Sequence, residues 1–386
     1  MKKSKKVKSR RIKTLINVIL VACFFAWVIF AALWVILVPD REYSENEKRY
    51  LSSAPVLSWD SVMNGKYTQG IEDWMNDQFP ARESWAGLNA ALEQMLGMNG
   101  KSGVYLCSDG SLIRSPAADN ASVTNTAASK ISAFAEATGL PVRFMLVPSA
   151  GYIREDALPK NHEAYHDAEI IARTQAALDE RVEWIDMTAV LSPHKDEGIY
   201  FDTDHHWTSL GAYYGYEAYC EAVGLTPVAQ DAFQVETVSN FMGTNWSTAC
   251  LWYLPGDEME IWTDPSLRVT TSISEPAKEP VVQEGMLFRN RLSEMDKYTV
   301  FLDGNHSLVT IDNPTSDGGV LLILKDSYGH IFTPFLASHY SKIIMVDMRY
   351  YKQSMTELCQ AEGVTDVLVL YSVGTFVEAS DLAFLR

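Results

Sequence analysis

From Thr14 to Val38 the chain is an almost unbroken run of Leu, Ile, Val, Phe, Ala and Trp, with Asn17 its only strongly polar residue. Roughly 25 residues at ~1.5 Å each cross the ~30 Å hydrocarbon core with some tilt. A signal-peptide apolar region would stop after about 7–15 residues at a small-x-small cleavage site. This one ends Leu37-Val38-Pro39-Asp40 and reads as an uncleaved signal anchor over 14–38. Ahead of it, residues 1–13 carry Lys2, Lys3, Lys5, Lys6, Lys8, Arg10, Arg11 and Lys13 and no acid. The positive-inside rule keeps that basic tail in the cytoplasm and sends everything after about residue 40 outward. No second apolar stretch of this length follows. The expectation is a single-pass protein of the cell membrane with an extracytoplasmic domain.

The external part is acidic. Setting the eight basic residues of the tail aside leaves 24 Lys and Arg against 49 Asp and Glu. A body with that balance is not built for nucleic acid or for anionic lipid. With 47% apolar and 21% charged residues the chain as a whole has the composition of an ordinary folded protein. Cys23 falls in the apolar run, while Cys107, Cys220, Cys250 and Cys359 are scattered beyond it. Their wide spacing argues against a metal knuckle and leaves disulfides and buried thiols equally open.

Residues 40–57 are polar and charged, a short stalk. The remainder, 58–386, reads as one extracytoplasmic domain. Tyr67, Ile71, Trp74 and Met75, then Trp85, Leu88, Leu92 and Leu96 beyond Pro80, follow helical spacing. A turn at Ser108-Asp109-Gly110-Ser111 marks a hairpin. Beyond it the pattern alternates. Apolar runs at 142–147, 182–187, 319–324, 343–346 and 367–370 read as buried strands. Segments 127–138, 166–181, 208–223 and 354–362, and one starting at Thr333-Pro334, read as helices. Short apolar runs alternating with helices predict an α/β fold, a mostly parallel sheet with flanking helices. Residues 226–300 break the rhythm and read as an insertion, a β-rich lid near the site.

The chemistry is concentrated in two places. Asp204-His205-His206-Trp207-Thr208 supplies an acid and a base, and Asp326-Ser327-Tyr328 follows the apolar strand 320–324. A serine hydroxyl becomes nucleophilic when a base lies within hydrogen-bond reach and an anion fixes that base's tautomer. Spacing alone allows two acid–base pairs, Asp204 with His206 or Asp202 with His205. Ser327 stands just past a strand end, where α/β enzymes place nucleophiles. Its surroundings are not a Gly-x-Ser-x-Gly elbow. Asn305 is a candidate oxyanion donor or a turn residue. Trp207 is a candidate sugar platform or a wall for the adjacent ring, and Tyr328 a candidate substrate contact. Asp202, Asp204, His205 and His206 have donors enough for a divalent ion, but serine acyl transfer requires no metal and no cofactor, and none is assigned.

Tyr200-Phe201-Asp202-Thr203-Asp204-His205-His206-Trp207-Thr208, with Gly211-Ala212, resembles the signature of the DHHW protein family. That family is similar to the periplasmic alginate O-acetyltransferases, with their SGNH-like domains and an Asp-Thr-His-Trp version of the motif. Phe241-Met242-Gly243-Thr244, Pro334-Phe335-Leu336 and Asp347-Met348-Arg349-Tyr350 fit the same resemblance. It implies Asp204, His206 and Ser327 as the catalytic set, on a circularly permuted SGNH-hydrolase-like sheet. The chain departs from such relatives at Ser149-Ala150-Gly151, where they carry a Lys. The implied function is O-acetylation of a cell-surface or secreted polysaccharide, fed by a membrane-bound O-acyltransferase partner. A carbohydrate esterase with the same residues, and a non-catalytic scaffold of a polysaccharide-export complex, are the rival readings.

Overall fold

Short apolar runs rich in Val, Ile and Leu are comfortable as strands covered on both faces. In the computed structural model they form an eight-stranded sheet. The structure describes residues 2–276 and 278–386, with side chains from Ile12 onward; most side chains of the basic tail lie outside the described residues. Its strands are β1 (Val142–Val147), β2 (Val182–Ile185), β3 (Thr270–Ser274), β4 (Val281–Glu284), β5 (Leu308–Asp312), β6 (Val320–Lys325), β7 (Lys342–Val346) and β8 (Asp366–Ser372). They run in the order β4-β3-β5-β7-β6-β8-β1-β2. The five from β7 to β2 are parallel, and β5, β3 and β4 continue the sheet antiparallel.

Alternation along these strands separates two cores. Met145, Val147, Leu321, Ile323, Leu368 and Leu370 face one side. Phe144, Leu146, Leu322, Leu324, Val367 and Val369 face the other. Each fully buried side chain of this kind contributes roughly 1.5–3 kcal/mol. Helix α1 (Ala121–Thr138) covers the second face with Ala127, Ile131 and Phe134. It starts on Asn120, whose side chain accepts from the Val123 amide, and stops at Gly139 with φ +66°. Helices α2 (Ser209–Val223) and α3 (Gly329–Leu336) cover the first face, through Tyr213, Tyr216 and Tyr219 and through Ile331, Phe332 and Phe335. Thr208 caps α2 by accepting from the Gly211 amide. Helix α4 (Met355–Glu362) buries Met355 and Cys359 in the second core.

Two expectations change. The helix expected to start at Thr333-Pro334 begins at Gly329, and Pro334 lies inside it. The tight turn after Ser327 sets that start: the Gly329 amide donates to the Asp326 carbonyl (3.2 Å) and the His330 amide to the Ser327 carbonyl (3.2 Å). Within 226–300, Thr270–Ser274 and Val281–Glu284 are strands of the main sheet, and Gln234–Phe241 pairs antiparallel with Asp257–Thr263. Two strands of this stretch therefore extend the sheet, and two others form a separate hairpin.

The chain forms two compact units, one ending at Leu92 and the other Glu93–Arg386. In the first, Ile12–Leu37 is one helix long and apolar enough to cross a membrane. Residues 43–44 and 49–50 pair as a small hairpin, and Arg49 grips the Asp77 carboxylate at 2.9 and 2.5 Å. All five cysteines are free thiols. Burial pushes Cys107 and Cys359 up to about 11 and Cys220 to about 12, so these three stay protonated and unreactive.

Candidate active site

Strand β6 ends at Lys325 and α3 begins at Gly329, so Ser327 sits in the three-residue turn between them. The turn is held by its neighbour. Asp326 is buried; one carboxylate oxygen accepts the Tyr328 amide (2.9 Å), and the other accepts the amide and hydroxyl of Ser372 (both 2.8 Å). Ser372 ends β8, the strand beside β6, so sheet register fixes the turn. Among the described residues the Ser327 amide has no acceptor, whereas that of Tyr328 is committed to Asp326. A Cβ at Gly329 would come within 3.0–3.2 Å of the Lys325 stem, so glycine lets the buried lysine pass beneath the turn.

The acid and base stand on the loop before α2. The Asp204 Oδ1 accepts the His206 amide at 3.0 Å and lies 2.5 Å from its Nδ1. On the other side of the ring, Nε2 lies 2.7 Å from the Ser327 Oγ. The second Asp204 oxygen accepts the Thr244 amide at 2.6 Å. Gly243 makes that approach possible, because a Cβ there would sit 2.3 Å from the Thr203 carbonyl oxygen and 2.4 Å from the Asp204 Cβ. Below the loop, Asp257 accepts the amides of Asp202 (2.8 Å) and Thr203 (2.9 Å) and the Thr203 hydroxyl. Burial pushes its carboxyl up to about 6.

Aromatic rings lock the two pieces together. Tyr298 stacks on His206, centroids 4.0 Å apart and planes 10° apart, and its hydroxyl donates to the Ser327 carbonyl at 3.0 Å. Burial holds that phenol well above its ordinary range, so it remains a neutral donor. Trp207 Nε1 donates to the Tyr328 carbonyl (3.1 Å), and the Tyr328 hydroxyl donates to the His205 carbonyl.

Of the two acid–base pairs that spacing permits, the structure brings Asp204 and His206 to Ser327. Asp202 points elsewhere, to Arg154 at 3.2 Å. Trp207 is 0% exposed and offers no face for a sugar ring; it is a wall. Asn305 is exposed and accepts from Arg349 at 3.1 Å, and among the described residues no hydrogen bond joins it to Ser327. Tyr328 is buried with its hydroxyl engaged, yet it borders a cavity of about 400 Å³ whose lining includes neither Ser327 nor His206. His205, Ser149, Gly151, Gly374 and Arg114 also line it. Asp204, His205 and His206 are close enough together to surround a cation. Both Asp204 oxygens, however, already accept N–H donors. Sequence reasoning missed Tyr298, Asp257 and the Asp326–Ser372 clamp. Phe241–Thr244 had been singled out, without the reason that Gly243 and Thr244 supply.

Family comparison matches residues 47–126 and 122–346 to the model described as DHHW protein. The chain belongs to the DHHW protein family. A DHHW family protein from Eubacterium siraeum is 26% identical, with 73% of this chain and 95% of that one covered and a TM-score of 0.65. Bacillus cereus PatB1, solved with a sulfonyl adduct, is 19% identical over 73% of this chain and 98% of its own, TM-score 0.62. The O-acetyltransferase domain of Pseudomonas putida AlgJ is 17% identical over 71% of this chain and 92% of its own, TM-score 0.45. No curated protein matches. This DHHW protein thus has an α/β fold around a mixed, mostly parallel sheet, shared with the Eubacterium and Bacillus structures.

Proposed function

We propose that this DHHW protein is an extracytoplasmic O-acyltransferase that acetylates a cell-surface or secreted polysaccharide through an acyl-Ser327 intermediate. The observation that carries the reading is the continuous hydrogen-bonded chain from Asp204 through His206 to Ser327. In the first step Oγ of Ser327 attacks the acyl carbonyl while His206 Nε2 takes its proton. The free Ser327 amide faces no competing acceptor and is the natural donor to the oxyanion; one such donor is typically worth about 10²–10³ in rate. The donor's oxygen then leaves with the proton that His206 returns. In the second step a glycan hydroxyl gives its proton to His206 and its oxygen bonds the acyl carbon. The bond to Oγ breaks, and the proton passes to Ser327. Asp204 keeps Nδ1 protonated and steadies the imidazolium in both steps.

The order Asp204, His206, Ser327 fits a circularly permuted SGNH arrangement. Transfer rather than hydrolysis is favoured by the likeness of Asp204-His205-His206-Trp207 to the alginate O-acetyltransferase motif. The apolar N-terminal helix supports it too, as a single-pass anchor with a cytoplasmic N-terminus. An anchored domain sits beside a membrane-bound O-acyltransferase that delivers acyl groups across the bilayer.

The test is intact mass of the full chain in detergent micelles after brief exposure to p-nitrophenyl acetate, beside Ser327→Ala. An acetyl adduct absent from the variant, and discharged faster by a glycan that itself becomes acetylated, is the expected result. Discharge indifferent to glycan points to an esterase. No adduct in either protein removes the enzyme reading and leaves the scaffold.

A further inference from the structure

Ten of the thirteen arginines whose side chains are described pair with acids. Arg41, Arg49, Arg82, Arg143, Arg154, Arg173, Arg181, Arg289, Arg291 and Arg349 each reach an acidic side chain. Among the described residues Arg114, Arg268 and Arg386 make no ion pair, and of these Arg114 lines the cavity bordered by His205 and Tyr328, the chain neighbours of His206 and Ser327. It is nonetheless aimed. Its Nε donates to the Asn245 side-chain oxygen at 3.1 Å, and among the described residues neither terminal amino group of the guanidinium has a partner. Asn245 is itself buried and donates to the Leu112 carbonyl at 2.8 Å. The residue before it, Thr244, holds the Asp204 carboxylate. One short segment therefore fixes both the acid of the site and the direction of the free guanidinium.

We propose that Arg114 seats an anionic group of the acceptor, a carboxylate or a phosphate carried on the glycan, and so makes this a transferase of anionic polysaccharide. A planar guanidinium held through Nε presents its remaining donors as a fork that matches either oxyanion in two parallel hydrogen bonds. With no ion pair among the described residues, it keeps its charge available. Glu378 lines the same cavity without an ion pair to Arg114, and its charge opposes an anion there. The identity of the bound molecule as an acyl acceptor rests on the proposed function; the binding itself does not.

The experiment measures equilibrium binding to the full-length Ser327→Ala protein in micelles at low salt, where no turnover interferes. The probes are an oligogalacturonate, a phosphomannan oligomer and a neutral cello-oligosaccharide of matched length. The expected result is at least about tenfold tighter binding of an anionic probe than of the neutral one. Arg114→Gln, added to Ser327→Ala, removes that preference, and Arg114→Lys restores part of it. Glu378→Gln strengthens anionic binding, a gain that a folding defect cannot mimic. Which of the two anionic probes binds identifies the oxyanion. Equal affinity for neutral and anionic probes, or a preference unchanged in Arg114→Gln, overturns the proposal. Arg114-dependent binding with no acyl transfer by the wild type would instead sink the transferase reading and leave this one standing.

Discussion

The nucleophile turn, residues 325–330, and the acid–base loop, residues 202–208, meet at the 2.7 Å contact of His206 with Ser327 and at the hydrogen bonds of Trp207 and Tyr328, but are held in different ways. The turn is an outcome of the sheet. Strand β6 ends, α3 begins, and Asp326 is clamped by the last residue of the adjoining strand. The loop lies outside the sheet, and Gly243, Thr244 and Asp257, some 40 to 55 residues further along the chain, hold it. A nucleophile built on core strands inherits their rigidity; a base built on a loop needs its own scaffold.

Substitutions on the two sides separate these modes of support. Ser327→Ala is expected to have the largest effect, a loss of ester turnover of at least about 10⁴-fold with the fold unchanged; stopped-assay kinetics and circular dichroism measure the two together. Gly243→Val comes next. Its side chain must displace Thr203 and Asp204, so turnover should fall about 100-fold from misplaced geometry while the thermal transition of the sheet persists. If turnover survives, the loop does not depend on that approach. Ser372→Ala removes one hydrogen bond to a buried carboxylate and should cost about 1.5–3 kcal/mol in urea unfolding, with a smaller fall in turnover than Gly243→Val.

The effects furthest from turnover are in pH dependence, and the two regions should differ in sign. Asp257, under the loop, has its carboxyl raised to about 6. The folded state therefore binds that proton before the unfolded state does. Wild type should gain stability relative to Asp257→Asn as pH falls from about 6 toward 4. Lys325, under the turn, is pushed down to about 8, chiefly by burial. Between about 8 and the ordinary 10.5 the unfolded chain holds the extra proton, so wild type should gain stability relative to Lys325→Met as pH rises through that window. Denaturant midpoints at four or five pH values decide both, and parallel lines for wild type and variant would refute either.

Much of the fold was legible because it is written in local periods. Val142–Val147 is read from its apolar run, and α2 from its 3.6-residue pattern and the Thr208 cap. The helix at Thr333-Pro334 was misplaced because proline usually opens a helix, whereas the hydrogen bonds of the Ser327 turn start this one four residues earlier. The short strands β3, β4 and β5 escaped because each mixes apolar with polar residues and none has a continuous apolar run of four.

The sequence by itself determined the apolar helix at the N-terminus, the alternation of strands and helices, and the presence of an acid, a base and a nucleophile. Each depends on neighbours within a few residues, so each leaves a local pattern. Spacing left Asp204 with His206 and Asp202 with His205 both open and the motif resemblance implied the first pair; only the tertiary structure decided how closely that pair approaches Ser327. It also decided that Tyr298 backs the imidazole and that Arg114 is left without an acid. Those outcomes depend on atoms brought together across tens to hundreds of residues, and no local spacing records the path that joins them.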